Sequence, residues 1–373
     1  MDTVASSLSD REKRDWLRLI RCDNVGPVTF YRLLERFASA DAALAALPDL
    51  ARRGGGQIRI RTESDVEREM ETILDAGARI VARGESEYPP MLAQIEDAPP
   101  LITVIGNPSL LTKRAVAVVG TRNASINGRK MAGDFAAAFG AAGLVVVSGM
   151  ARGIDAAAHE GALATGTVAV MAGGVDVIYP RENAALYAGI AERGALISEM
   201  PPGLTPQARH FPRRNRLISG MARGVVVVEA APRSGSLITA RLAAEQNREV
   251  FAVPGSPLDP RSRGGNQLIR QGAALTETPE DVIEVLDGLF NSPLAEPPAR
   301  KFAVSTPVEP DDAGLGEARE TIVAGLGPTP VMVDEIIRRC QMSPAIVSTV
   351  LLELELAGRL ERHSGNAVSL VGG

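Results

Sequence analysis

Residues 209–216 read RHFPRRNR and place four arginines and one histidine in eight positions. Guanidinium groups gathered this tightly suit phosphate oxygens, because arginine offers paired N–H donors in a fixed plane. The chain as a whole carries a formal net charge of −5, so the positive charge is local. Between residues 112 and 224 there are thirteen Lys or Arg and seven Asp or Glu, a surplus of six. That distribution predicts a basic groove on an acidic protein, not a basic protein. If a helix starts inside the octapeptide, Arg213 and Arg216 share one face and Arg214 turns away.

Four further stretches repeat the same chemistry, each directly after a short apolar run. They are Gly120-Thr121-Arg122-Asn123-Ala124-Ser125, Gly149-Met150-Ala151-Arg152-Gly153-Ile154-Asp155, the segment from Ala172 through Tyr179-Pro180-Arg181-Glu182-Asn183, and Ala230-Ala231-Pro232-Arg233-Ser234-Gly235-Ser236. Each combines glycine for close backbone approach with an arginine or a small hydroxyl at an expected helix start, the ingredients of an anion site. From the five stretches the expected nucleic-acid contacts are Gly120, Thr121, Arg122, Ser125, Arg152, Gly153, Arg181, Asn183, Arg209, Phe211, Arg213, Arg214, Asn215, Arg216, Ser234, Gly235 and Ser236. Neither G-x-G-x-x-G nor G-x-x-x-x-G-K-[ST] occurs in these loops, so no nucleotide cofactor is expected and a row of phosphates fits better than one dinucleotide. Phe211 can stack on a base or pack inward. Arg214 or Arg216 can instead pair with a carboxylate such as Asp155 or Glu229 and brace the loops.

Catalytic patterns are weak by comparison. Asp155 and His159 lie one helical turn apart, but Asp155 is well placed as a helix N-cap and His159 as a packing residue. His210 and His363 form no Ser-His-Asp or metal-ligand spacing, and Cys22 and Cys340 stand near opposite ends of the chain. No catalytic residue, metal or cofactor is expected, and the residues argue for binding over turnover.

The apolar runs that carry these loops are LITVI (101–105), AVAVV (115–119), LVVVS (144–148), TVAVM (167–171), ALIS (195–198), VVVVE (225–229) and EVFAV (249–253). They are short, rich in β-branched residues and apolar on both faces, as in a parallel sheet covered by helices. The expected fold is α/β: an extended Rossmann-like, doubly wound core over 85–290, whose ligand site lies at the C-terminal ends of the strands. Residues 1–84 are expected to form a small helical domain with a helix-turn-helix at 12–37, broken at Asn24-Val25-Gly26-Pro27. Five prolines within 291–312 suggest an extended tether. Residues 313–373 read as three helices and a hairpin, the order of a winged helix. Its third helix, PAIVSTVLLELELAG, holds Glu353 and Glu355 and no cation, so packing or protein contact is favoured over DNA reading. There is no signal-peptide pattern and no run of eighteen apolar residues, which points to a cytoplasmic chain without membrane contact.

The segments VAVVGTRNAS, VVVSGMARGIDAAAHEGAL, TVAVMAGGVDVIYPREN, HFPRRNRLISGMARGVVVVEAAPRSGSLITARLAAEQNREVFAVPG and GGNQLIRQGA, in this order, closely resemble the bacterial DNA-processing protein A family across about residues 85–275. The resemblance implies a homodimer that binds single-stranded DNA entering during natural transformation, shields it and loads RecA recombinase onto it. It also implies a sterile-alpha-motif-like or helix-hairpin-helix N-terminal domain, an extended Rossmann core and, in some members, a winged-helix tail. In the family a Gly-Ser-Arg loop and a cation after Tyr-Pro contact the DNA backbone. Those positions here are Gly120-Thr121-Arg122 and Arg181, with Thr for the commoner Ser and Arg for the commoner Lys. Dimer contacts carry over to the region of Leu268 and Ile269. The alternative is a nucleotide-processing hydrolase of the lysine-decarboxylase-like, cytokinin-activating type, marked by Pro-Gly-Gly-x-Gly-Thr followed by an acid. The comparable turn here, Pro232 to Thr239, has no such acid.

Overall fold

The computed structural model describes residues 8–291, 312–363 and 365–371. The expected tether lies, apart from its first and last residues, outside them. In chain order the helices are α1 (Asp10–Ile20), α2 (Pro27–Phe37), α3 (Ala40–Arg53), α4 (Glu63–Asp75), α5 (Ile126–Ala141), α6 (Ile154–Ala162), α7 (Ala184–Arg193), α8 (His210–Met221), α9 (Gly235–Glu245), α10 (Arg263–Arg270), α11 (Pro279–Asn291), α12 (Asp312–Gly325), α13 (Val333–Cys340) and α14 (Pro344–Leu356). The strands are β1 (Arg79–Ala82), β2 (Leu101–Gly106), β3 (Ala115–Val119), β4 (Val145–Ser148), β5 (Thr167–Val170), β6 (Ala195–Ser198), β7 (Gly224–Val227), β8 (Glu249–Ala252), β9 (Ala274–Leu275), β10 (Val331–Met332), β11 (Leu360–His363) and β12 (Ala367–Leu370).

Two compact units result. Among the described residues, one comprises 8–13 and 67–291, the other 14–66, 312–363 and 365–371. The first is built on a nine-stranded sheet of order β1-β2-β6-β5-β4-β3-β7-β8-β9. From β6 through to β9 in this order all six pairings are parallel, as the doubly apolar runs require. At the other edge β2 runs antiparallel to β6 and β1 antiparallel to β2, so the sheet is mixed and mostly parallel. Through the pairing of β1 with β2, residues 67–84 fall in the same compact unit as the sheet.

Alternation along the strands feeds both faces. Ala117, Val119, Val145, Val147, Val225 and Val227 pack on one side with Leu217, Ile218 and Met221 of α8. Val116, Val118, Val146 and Val226 pack on the other with Phe135 and Phe139 of α5 and Ala157, Ala158 and Ala162 of α6. Such burial is the main stabilising term of the fold, on the order of 25 cal/mol for each Å² of apolar surface removed from water.

The chain leaves β3 toward β4, β5 and β6, then returns to place β7 on the opposite side of β3. This reversal opens a crevice beyond the ends of β3 and β7, where a doubly wound sheet receives its ligand. The second unit contains α1 beyond its first turn, α2 and α3 together with the tail, whose three helices and three-stranded sheet of order β10-β12-β11 make a winged helix. The two ends of the chain, read as separate domains, are thus one compact unit. No described helix is long and apolar enough to cross a membrane.

Candidate nucleic-acid interface

The loops after β3, β4, β5 and β7 and the start of α8 converge on the C-terminal edge of the sheet, where they line three adjoining clefts of about 620, 470 and 780 Å³. Arg122, exposed at the tip of the β3 loop, lines all three. Its guanidinium lies 4.8 Å from the centroid of the Phe211 ring, and the exposed Tyr179 ring stands 5.8 Å from that of Phe211. Cation and aromatic face therefore meet at the junction of the clefts, the pairing that holds both the backbone and the bases of an unpaired strand.

Close backbone approach builds the β3 loop. A Cβ on Gly120 would come within 2.5 Å of Ile154 Cγ1, and one on Gly153 within 2.4 Å of the Thr121 carbonyl oxygen, so only glycine fits either position. Thr121 N–H donates to the Glu229 carbonyl at 2.7 Å and ties the β3 loop to the β7 loop. Asn183 Nδ2 donates to the carbonyl of Met150 at 2.9 Å, holding that residue in its left-handed turn (φ 61°). Arg152 and Arg181 are exposed, and Arg152 makes only a loose 3.5 Å pair with Glu182. A solvated pair of this kind contributes little, so Arg152 is readily redirected to a phosphate.

Not every expected contact faces the clefts. Ser125 caps α5, accepting from Gly128 N–H at 2.8 Å, and its hydroxyl donates to Glu229 Oε1 at 2.6 Å. The Glu229 carboxylate also accepts from Ser125 N–H at 3.0 Å, so the chain supplies its own anion at this helix start. Arg216 also lies away from the clefts. It is buried, pairs with Glu199 and lies 3.2 Å from Asp97, so it braces α8 from beneath. Arg213 is about half exposed and shares Glu199 at 3.1 Å. Arg209 remains exposed, and the adjoining His210 accepts from Gln207 N–H at 3.1 Å through Nδ1.

Arg214 also turns inward. Only 5% exposed, its Nη1 donates to the carbonyls of Gly149 and, at 2.6 Å, Val170, which close β4 and β5. Its Nε donates to Asn215 Oδ1 at 3.2 Å, and Asn215 Nδ2 donates to the Gly235 carbonyl at 3.2 Å, linking α8 to the start of α9. Burial lowers the Arg214 pKa to about 10 and raises the Asp155 carboxyl above its ordinary range, although each charge favours the other. Asp155 is not the N-cap of α6, which is Gly153; it lies in the first turn and accepts from Ala151 N–H at 3.4 Å.

The start of α9 is different. Ser234 caps it with Ser236 N–H donating to Ser234 Oγ at 3.4 Å, and a Cβ added to Gly235 would meet nothing within 4 Å. Arg233, exposed with φ 67°, stands beside it on the wall of the 470 Å³ cleft. Arg233 and Tyr179 were not among the expected contacts. Each belongs to a loop read for its neighbours, and the reversed backbone that turns Arg233 outward has no glycine to announce it.

His159 is a packing residue. Thr167 uses its hydroxyl hydrogen on the Val146 carbonyl (2.8 Å), so the 2.7 Å contact between Thr167 Oγ1 and His159 Nδ1 requires the proton on Nδ1. Nε2 is buried without a hydrogen-bond partner among the described residues, and burial beside the Arg214 cation depresses the pKa to about 3. The unfolded chain takes up this proton near pH 6.5 and the folded one only near 3. Stability from this group is complete above 6.5 and falls as the pH drops toward 3. Between pH 7 and 4.5 the wild type should lose about 2–3 kcal/mol more than His159→Gln, measured by chemical unfolding at both pH values. Equal losses in the two proteins would show that His159 titrates normally.

No group of three or more His, Cys, Asp or Glu among the described residues could hold a metal ion. The family described as DNA recombination-mediator protein A matches residues 79–287, its N-terminal HHH domain residues 10–72 and its winged helix domain residues 306–366. Protein Smf of Escherichia coli is 36% identical over 362 residues, 95% of either chain. The crystal structure of DNA processing protein A from Streptococcus pneumoniae aligns with a TM-score of 0.61 and 36% identity over 75% of this chain and 98% of that one. A structure of DNA processing protein A from Helicobacter pylori, described for its single-stranded DNA binding mode, aligns with a TM-score of 0.53 and 28% identity over 57% of this chain and 96% of that one. With the family match running through the sheet unit and both ends, this chain belongs to the DNA recombination-mediator protein A family.

Proposed function

We propose that this protein binds single-stranded DNA along the C-terminal edge of its sheet, and that it acts in the cytoplasm as a homodimer that shields incoming DNA during transformation and delivers it to RecA recombinase. The observation that carries the binding reading is Arg122: one exposed guanidinium lines all three clefts and stacks on an aromatic ring, joining them into one track. Thr121, Arg122, Arg233 and the open start of α9 take phosphates at the crevice between β3 and β7, and Arg152 and Arg181 continue the row. The single-strand binding described for the Helicobacter pylori relative supports this reading. For the dimer, α10 presents Leu268 and Ile269, both half-buried. Leu268 packs partly against the sheet's own core, which leaves Ile269 the freer of the two for a partner.

The hydrolase reading gains nothing from the site. Asp155 is the carboxylate that lines the 470 Å³ cleft, and it is buried beside Arg214.

Phe211 supplies a direct test. Phe211→Ala should weaken single-strand binding by about 1–3 kcal/mol, the range for one base stacked on an aromatic ring, whereas Phe211→Tyr should bind nearly as wild type. Fluorescence anisotropy with a labelled oligonucleotide measures both. Wild-type affinity in the alanine variant would remove the ring from the interface, and equal affinity of the wild type for single strand and duplex would count against the proposed function itself.

A further inference from the structure

We infer that the tail completes the N-terminal helical domain, so that the two ends of the chain fold as one cooperative module and the C-terminal half of α14 is committed to that contact. The inference is independent of the DNA track. It starts from α14, PAIVSTVLLELEL, whose first turns leave Pro344, Ala345 and Ser348 exposed but whose C-terminal half is buried at every position from Val350 to Leu354 and at Leu356, more than one helix face can account for. One stripe, Val347, Val350, Leu351 and Leu354, recurs at helical spacing and forms the tail's own core with Leu315, Ile322 and Ile336. A second stripe, Leu352 and Leu356, leaves that core. It packs in the N-terminal cluster with Leu44, Leu47, Leu50 and Ala51 of α3.

Polar and steric contacts fix this docking. Thr29, fully buried in α2, donates to Glu355 Oε1 at 2.6 Å, and Arg362 Nε donates to the other oxygen of that carboxylate at 2.7 Å. Asn24 Nδ2, at the α1–α2 turn, donates to the Leu356 carbonyl at 3.2 Å, and Arg359 Nη1 donates to the Gly54 carbonyl at 3.2 Å. A Cβ on Gly54 would come within 2.0 Å of the Glu353 carbonyl oxygen, and one on Gly56 within 2.5 Å of the Ala357 carbonyl oxygen. Gly54 has φ −70°, so its backbone suits any residue and only the close approach of α14 demands glycine there. Glu353, fully buried, accepts from Arg319 of α12 at 3.2 Å, so neither acid of the helix faces solvent as a free charge. The C-terminal half of this helix is thus spent on contacts within the same chain.

The single Trp of the sequence, Trp16, makes the inference testable in the full-length protein, because it lies in the N-terminal cluster with its ring 5.1 Å from that of Phe30. Leu351→Asp puts a charge in the tail's own core and touches nothing in the N-terminal cluster. One cooperative module predicts that the Trp16 emission transition in urea moves down by about 1 M or more. An unchanged Trp16 midpoint would overturn the inference, whether or not the tail itself still folds. From the other side, Gly54→Ala should raise hydrogen exchange of the α14 amides at least about tenfold while its own helix stays formed. Unchanged exchange in α14 would contradict the docking just as directly.

Discussion

Arg214→Met is expected to destabilise the sheet unit by about 3–5 kcal/mol, the usual result of removing one partner from a buried charged pair. For a unit of this size that corresponds to a fall in Tm of roughly 10 °C. The physical cost has two parts. The carbonyls of Gly149 and Val170 lose their donor at the ends of β4 and β5, and Asp155 loses the cation that offsets its burial. Both follow from geometry and neither involves DNA. Adding Asp155→Leu to Arg214→Met should recover part of the loss, since the uncompensated carboxylate is then gone. Calorimetry on the single and double variants checks this. A loss under about 1 kcal/mol would mean that the guanidinium is not a structural clamp.

Arg122→Ala should behave in the opposite way, with near-normal stability and a large binding defect. Its side chain is exposed and forms its close contact with the Phe211 ring, so removing it disturbs little of the fold. A charge-assisted phosphate contact is worth about 1.5–3 kcal/mol, so single-strand affinity should drop about tenfold to a hundredfold. Arg216→Ala should show the reverse pattern, a stability defect through Glu199 with binding weakened only as far as α8 shifts. Anisotropy titrations and thermal melts of the two variants together separate a contact from a brace. If Arg122→Ala binds normally, the track runs elsewhere on the protein.

This contrast between Arg122 and Arg214 marks where sequence reading succeeds and where it stops. All seven apolar runs form strands, because β-branched residues apolar on both faces have few other homes. The loops after the parallel strands reach one edge as parallel topology requires. The direction of an individual side chain is a different matter. RHFPRRNR offers four arginines of equal chemistry, and only the packed position of α8 shows that Arg214 and Arg216 face the strand ends and Glu199 while Arg209 stays outside. Ser125 was legible as a helix cap and as an anion ligand alike, and the carboxylate of Glu229, 104 residues away, decides between them. The antiparallel edge was similarly hidden, since β1 and β2 are short and apolar like the parallel strands and only their pairing reveals their direction. In the tail, the absence of cations on α14 could be read from the sequence, but the segments it packs against lie more than 300 residues distant.

The most direct test of the proposed track is the salt dependence of single-strand binding in the wild type and in the Arg122→Ala, Arg181→Ala double variant. For single strands the logarithm of affinity falls with the logarithm of salt concentration by about 0.7 for each phosphate neutralised. Loss of two phosphate contacts should therefore make the double variant's slope shallower by about 1.4, along with weaker binding at every salt concentration. Identical slopes for the two proteins would mean that neither arginine meets a phosphate, and the edge of the sheet would no longer be the DNA-binding surface.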